Sequence, residues 1–473
     1  MDKCVIFGAG DMGRKSYYKI SQYFDVLYYA DNNVNLQGKK LNGTEIISMD
    51  DLVTNYSLEI KVIVCTFAYR EIVNQLLERG ISNYIIMLEG LMYSFDDTKV
   101  LIPYEQNILP YYKKKNEEKN ILFVQNIPCV RTHKIAALMK ERGWKVFLLY
   151  LIAPSTENEK AHEEKYEKVF SLSTQKGIVD FVSNSEFDIV HSSNAPDYLT
   201  ALLLKANKPI VHDCHDMMTL KGYDNSHVLT LEYIAHTQSA GVIYCAEGAR
   251  RLAEKIFRRD DGKIFVLENY ITKQLARKKN LTKLSEADGQ IHCVYEGVIS
   301  DDPQNSRFCE KIWEKITDHG VHIHFYSPSN EWYCKQLAEK NSYLHYEGNM
   351  GSLKLANEMS KYDCGLVVYN VNEKSRTHLE ATSINKVYEY INAGIPAVVV
   401  GLQTWSEFVE KNKVGISLDL DKDIREQLQR ASQIKIKDNF LSDNELTMEA
   451  KGEELEQFYE KIIFEFYCLH KIT

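Results

Sequence analysis

The densest run of reactive side chains is "HDCHD" at positions 212–216, with two histidines, two aspartates and a cysteine in five consecutive places. Every one of these side chains can bind a transition metal. The run leaves the apolar segment "KPIV", read as a strand that ends at His212. Neighbours in extended geometry point to opposite faces. That sends His212, Cys214 and Asp216 one way and Asp213 and His215 the other. Zinc needs ligands that converge on one point, and the ten cysteines include no C-x-x-C pair. No metal site is therefore expected here. At the carboxyl end of a strand the run instead faces the cleft where open α/β sheets take their ligands.

Two further constellations could hold phosphate. "GAGDMG" places Gly8, Gly10 and Gly13 in G-x-G-x-x-G spacing between a strand and a helix. Such glycines permit a tight turn and let a phosphate approach the amides of a helix N-terminus. Asp31 closes the next strand, where an acid for ribose hydroxyls is expected. A half-size sheet that keeps this geometry without binding a dinucleotide is the plainer reading. The second constellation is "TSINKVYEY" (382–390). Ser383 and Asn385 suit a helix cap, Lys386 adds a positive charge in the first turn, and Glu389 lies one turn on along the same face. The alternative for Lys386 and Glu389 is a surface i,i+3 ion pair.

The elements that must position these residues alternate strand and helix nearly throughout, which points to an α/β fold on parallel sheets. The alternation falls into three Rossmann-like units. Residues 1–97 form a small N-terminal unit, and 98–119 a linker that includes the charged stretch "YYKKKNEEKN", read as solvated. Residues 120–277 and 278–440 form two larger units, the second opening on the polar hinge "KKNLTKLSEADGQ". Residues 441–473 read as a long amphipathic helix that packs back on the unit at 120–277. The formal charge of −9 excludes a general nucleic-acid binder. The chain opens directly into a strand pattern, and its longest apolar runs, 146–153 and 395–402, fall short of the ~20 residues of a membrane span. A cytoplasmic protein with reduced thiols is expected, with contact at the inner face of the membrane and homo-oligomerisation left open.

Residues 120–473 resemble the GT-B glycosyltransferases, specifically the retaining group called family 4. "SINKVYEYINAGIPAVVVG" (383–401) is similar to the family's glutamate-bearing helix followed by A-G-x-P and an apolar strand. "FDIVHSSNAPDYLTALLLKANKPIVHDCHD", "AGVIYCAEGARRLAEKI", "KIFVLENYI" and "LHYEGNM" match in order. The resemblance implies two Rossmann-like domains facing across a cleft. It further implies a nucleotide-sugar donor, a glycan, lipid-linked glycan or protein acceptor, no required cofactor and a part in bacterial surface-polysaccharide synthesis. It puts Lys386 at the donor diphosphate and Glu389 at the ribose. Ser383, Asn385, Gly297 and Gly348 join the donor site, and His215 and Asp216 approach the sugar. Asn269 in "LENYI" corresponds to the residue that shapes the interdomain hinge.

The chain departs from the family at two places. The first glutamate of E-x7-E falls on Ala381, with Glu380 one position early. The phosphate-clamping Arg and Lys after Gly297 are missing, which leaves Arg307, Arg376 and Lys386 as substitutes. Arg131, after the first strand of the second unit, is a further donor-site candidate. Residues 1–97 resemble small Rossmann-like domains attached to polysaccharide enzymes, implying a nucleotide or nucleotide-sugar ligand or a structural role. Two other functions fit the same residues: an inactive sugar-nucleotide-binding scaffold, and an NAD-dependent nucleotide-sugar oxidoreductase built on Gly8–Gly13.

Overall fold

The structure is a computed structural model that describes residues 2–57, 59–88, 91–93, 111–115, 117–151, 163–194, 197–275 and 280–470. It is an α/β chain on parallel-rich sheets. The chain divides into two compact units. One holds Met1–Asp213, Gln238–Gly241 and Lys461–Thr473, the other Cys214–Thr237 and Val242–Glu460.

The first unit opens with β1 (Asp2–Phe7), β2 (Phe24–Ala30), β3 (Lys40–Leu41), β4 (Thr44–Ile47), β5 (Lys61–Val64), β6 (Tyr84–Leu88) and β7 (Leu91–Tyr93) in the order β3-β4-β2-β1-β5-β6-β7. The pairs are parallel except at the two edges, β3–β4 and β6–β7. Its second sheet takes β8 (Asn120–Gln125), β9 (Lys145–Tyr150), β10 (Lys168–Ser171), β11 (Ile189–Ser193) and β12 (Ile210–Cys214), in the order β10-β9-β8-β11-β12. All residues of β8, β11 and β12 are buried, the polar His191, Ser192, His212 and Asp213 included, as in strands covered on both faces. The helix Asp11–Ile20 carries the fully buried Lys19, whose ammonium donates to the carbonyls of Leu151 and Leu172 beyond β9 and β10.

The second unit contains a parallel pair, β13 (Gly241–Tyr244) with β14 (Ile264–Val266). Its main sheet takes β15 (Ile291–Glu296), β16 (Val321–Tyr326), β17 (Leu344–Tyr346), β18 (Cys364–Val367), β19 (Ala397–Val399) and β20 (Gly415–Ser417). Their order is β17-β16-β15-β18-β19-β20, all parallel. A core around Trp313, Phe325, Tyr295 and Leu428 fills one face. On the sheet the helix Asn385–Ala393 lies unusually close, because Gly365 of β18 has no side chain to hold it off. A Cβ at Gly365 would come 2.2 Å from the Tyr390 ring. The Tyr390 hydroxyl then donates to the Leu366 carbonyl at 3.2 Å and accepts from the Glu296 amide at 3.3 Å, pinning the helix to the carboxyl end of β15.

Several expectations change. The strand into "HDCHD" does not stop at His212 but continues to Cys214, because Ser192 and Ser193 of β11 still pair with His212 and Asp213. Residues 98–110 of the expected linker lie outside the described residues. The stretch at 111–115 is not simply solvated: the Tyr112 ring sits 4.5 Å from Phe147 and 4.9 Å from Phe187, and Lys114 pairs with Asp188 at 2.8 Å. In the expected hinge, residues 280–290 are docked, with Ser285 donating to Asp363 at 2.6 Å and Leu281 to Ser360 at 3.1 Å. The C-terminal helix runs Gly452–His470, starting later than its polar pattern indicated. Among the described residues no helix is long and apolar enough to cross a membrane.

Candidate functional site

Lys386 occupies the first turn of the helix Asn385–Ala393, and tertiary packing rather than that helix sets its surroundings. Its side chain is 5 % exposed and reaches back over the Tyr295 ring, with Nζ 3.9 Å from the centroid, and towards Tyr369 at 5.0 Å. A Cβ on Gly297, which has φ of +131°, would lie 3.5 Å from Nζ. Arg307 also stands over the Tyr369 ring, at 4.8 Å. The Lys386 ammonium has no hydrogen-bond partner. Burial pushes its pKa down to about 7, and the Arg307 charge adds to the effect. A buried cation beside a second cation, with no hydrogen-bond partner and only the longer-range charges of Glu296 and Glu389 opposing, is an environment that suits an anion.

The helix end reinforces this. Its N-cap is Ile384, which makes no side-chain bond, and the first turn carries no acid. The expected Ser383 cap is thereby corrected. Ser383 instead accepts from the Asn269 amide at 3.0 Å and reaches Glu268 at 3.5 Å, where the Tyr388 hydroxyl also donates at 2.6 Å. Asn385 is exposed. Glu389 forms no ion pair with Lys386. It lines a small cavity with Glu296, Ser352 and Asn392, one helical turn from Lys386. Gly348, at φ +81°, accepts from the Ser327 amide at 3.1 Å just past β16.

A second cluster forms around Ala381. Asp216 pairs with Lys221 at 3.1 Å and lies 3.5 Å from His378 Nε2. Burial would raise the Asp216 carboxyl, but Lys221, His378 and His215 outweigh it and hold the pKa below its ordinary value. Burial lowers the His378 pKa, and Asp216 opposes that only in part. The Cys245 thiol donates to the His215 carbonyl at 3.0 Å, which fixes the loop. His215, Asp216, Met217, His378, Ala381 and Thr382 line one small, open pocket. His378 was missed by sequence reasoning because its helix, Glu373–Ala381, is weakly amphipathic. Its distance of three residues from Ala381, one helical turn, was the available signal.

Other candidates sit elsewhere. Glu380 accepts from the amides of Gln403 and Thr404, both at 2.8 Å, so it caps the helix Gln403–Lys411 and does not replace the absent glutamate. Arg376 reaches the Gly401 carbonyl at 3.3 Å. In the first unit, Arg131 is buried in a two-pronged bond to Asp213, with 2.8 Å and 3.0 Å contacts, and His191 joins the same carboxylate at 3.2 Å. That engagement corrects its donor-site assignment to a core ion pair. The "HDCHD" run is thus divided: Asp213 serves Arg131, His212 Nδ1 lies 2.9 Å from Thr200 Oγ1, and Asp216 serves Lys221 and His378.

At the N-terminal loop, Gly8 at φ +112° and Gly13 are required. A Cβ at Gly8 would lie 2.7 Å from the Cys65 carbonyl, and one at Gly13 1.8 Å from the Gly8 carbonyl. Nothing crowds Gly10. Asp31 takes the Ala9 amide at 2.7 Å and the Asn33 amide at 2.8 Å. Its carboxylate therefore ties down the loop whose amide would otherwise meet a phosphate. Asp11, paired with Arg14 and Lys15, adds negative charge in the first turn of the helix.

Residues 130–274 match the family described as Glycosyltransferase Family 4. Residues 298–442 match the Glucosyltransferase 3-like C-terminal domain. Two successive segments of the chain thus match glycosyltransferase families, and the chain has the GT-B fold. Residues 1–87 match the C2185-like N-terminal family. Solved structures share the fold at low identity. The Anabaena protein Alr3699/HepE, solved in complex with UDP, is 13% identical, covers 72% of this chain and 100% of its own, and has a TM-score of 0.54. Its structure in complex with UDP-glucose gives 13%, 75%, 100% and 0.52. A glycosyltransferase from Rickettsia africae ESF-5 gives 12%, 73%, 99% and 0.50. No curated protein matches the chain.

Proposed function

We propose that this glycosyltransferase takes its sugar from a nucleotide diphosphate sugar and passes it to an acceptor hydroxyl with retention at the anomeric carbon. The bond from that carbon to the diphosphate oxygen breaks, the acceptor oxygen replaces it, and the acceptor proton is released. Lys386, Arg307 and the uncapped helix end neutralise the diphosphate, where stabilising the developing charge contributes most to the rate. Glu389 binds the ribose hydroxyls, Gly297 and Gly348 let the donor approach the backbone, and His215 and Asp216 meet the sugar. The unpartnered, buried ammonium of Lys386 is the observation that carries this reading. The complexes of Alr3699/HepE with UDP and UDP-glucose favour a uridine nucleotide as the first probe. The acceptor is a glycan, a lipid-linked glycan or a protein of a bacterial surface-polysaccharide pathway, handled in the cytoplasm at the inner face of the membrane. No resident cofactor is needed for this chemistry.

A second reading, a sugar-nucleotide-binding subunit without transfer, draws on Ala381. That residue stands where a family glutamate is expected, and a Cβ at Gly248 would come 2.9 Å from its Cα, so the backbone is closely packed there. The test measures transfer and hydrolysis over a panel of nucleotide sugars for wild type, Lys386→Ala and Glu389→Ala. Loss of donor affinity in both variants supports the site, and turnover separates enzyme from scaffold. Unchanged donor affinity in both variants sinks the assignment.

A further inference from the structure

The main sheet of the second unit carries four histidines on neighbouring strands: His292 on β15, His322 and His324 on β16, and His345 on β17. Register places His292 opposite His322 and His324 opposite His345. His292 and His322 lie at the amino ends of their strands, whereas Glu296 and Gly297 stand at the carboxyl end of β15. The cluster is therefore separate from the anion site.

Its hydrogen bonds run in a string between two carboxylates. Glu347 Oε1 lies 2.7 Å from His324 Nδ1, His324 Nε2 lies 3.0 Å from His292 Nδ1, and His292 Nε2 lies 3.1 Å from Asp288 Oδ2. An ionised carboxylate only accepts. His324 must then donate from Nδ1 to Glu347, and its Nε2 accepts from His292 Nδ1. With both rings neutral, His292 Nε2 is left with a lone pair aimed at the Asp288 carboxylate. Two acceptors face each other at hydrogen-bond distance, and only a cation between them resolves the conflict.

We propose that Asp288, His292 and His322 bind one divalent transition-metal ion of the zinc class at this edge of the sheet. Ligand atoms of the three residues all lie within 4.8 Å of one another. Asp288 and His292 already stand 3.1–3.3 Å apart, near the edge of about 3.3–3.4 Å set by tetrahedral bonds of ~2.0–2.1 Å. The His292 and His322 rings stack at 4.7 Å with 9° between their planes, so the partly exposed His322 must turn, giving up its 2.9 Å contact from Nδ1 to His345 Nε2, to complete the set. Water takes the open position. The outer hydrogen bond from His292 to His324 and on to Glu347 is the orienting support that metal-bound imidazoles require. Asp288 ends the short helix Ser285–Asp288, so the ion fastens that turn to β15 and β16. Its role is stabilising rather than catalytic.

The competing occupant is a single proton shared along the string, and a metal titration separates the two. The full chain, stripped with a chelator, is titrated with Co²⁺ and then with Zn²⁺, following the visible bands of tetrahedral cobalt and the Tm. One equivalent of Co²⁺ is expected, displaced by Zn²⁺, with a raised Tm. Asp288→Asn and His322→Ala lower the affinity about tenfold or more, while His227→Ala, an exposed histidine elsewhere, leaves it unchanged. Asp288 is 45% exposed, so its amide variant keeps the fold. Absence of saturable Co²⁺ binding, or binding that neither variant weakens, overturns the proposal.

Discussion

Replacing Lys386 with methionine should stabilise the empty protein and at the same time abolish its affinity for UDP. The side chain is 5 % exposed and its ammonium has no partner, so the folded state holds its pKa at about 7 against an ordinary 10.5. At roughly 1.4 kcal/mol per unit, keeping that charge folded costs on the order of 4–5 kcal/mol. Methionine fills a similar volume without the charge, but it gives up the ring contacts to Tyr295 and Tyr369, worth about 1–2 kcal/mol. A net gain on the order of 2–4 kcal/mol at neutral pH follows, read by urea unfolding.

The sign with pH is definite. Between pH 7 and 10.5 the unfolded chain holds a proton on Lys386 that the folded chain lacks, so the wild type gains stability as pH rises. The penalty is complete below the folded value and gone above the unfolded one. The difference between variant and wild type should therefore shrink across that window. Binding tests the same charge from the other side. A diphosphate seated on Lys386 raises its pKa again, so UDP should draw in about one proton per molecule at a pH one to two units above 7. Calorimetry in two buffers of different ionisation enthalpy reads that uptake directly. Equal heats in the two buffers, together with a methionine variant that binds UDP as wild type does, would refute the reasoning.

Glu380→Ala should lower stability by about 1 kcal/mol through loss of the cap on the helix Gln403–Lys411, seen as a lower Tm with UDP affinity unchanged. Gly297→Ala, at φ +131°, should destabilise by about 1–3 kcal/mol and weaken UDP binding by crowding Lys386. Asp216→Asn removes the carboxylate that opposes the lowered pKa of His378, so the His378 resonance should titrate at lower pH in an NMR series. An unmoved titration would separate the two side chains in solution.

The α/β class, the parallel sheets and the helix that bears Lys386 and Glu389 were legible because they rest on local signals. Apolar runs of strand length recur at regular spacing, and "NKVYEYINAG" has a helical period closed by Gly394, the left-handed C-cap at φ +73°. Glycines at 8 and 13 announced a tight turn, and contacts that no Cβ could occupy account for them. The fate of polar side chains was not legible in the same way. Arg131, Glu380 and Ser383 have residue types that suit a donor site, yet each is taken by a partner 82, 23 or 114 positions away in sequence. A local pattern carries no information about such partners.

By itself, the order of residues determined where strands and helices form, because backbone propensity and apolar period act within a few positions. It also determined that Lys386 stands in the first turn of a helix, with Glu389 one turn further. Only the tertiary structure decided that Lys386 is buried between Tyr295, Tyr369 and Gly297 without a hydrogen-bond partner, and that His378 meets Asp216. It alone strings His292 and His324, from two neighbouring strands, between Asp288 and Glu347. The physical reason is the same in each case. The energy of a charge or a lone pair depends on what desolvates it and what faces it, and both are supplied by residues distant along the chain.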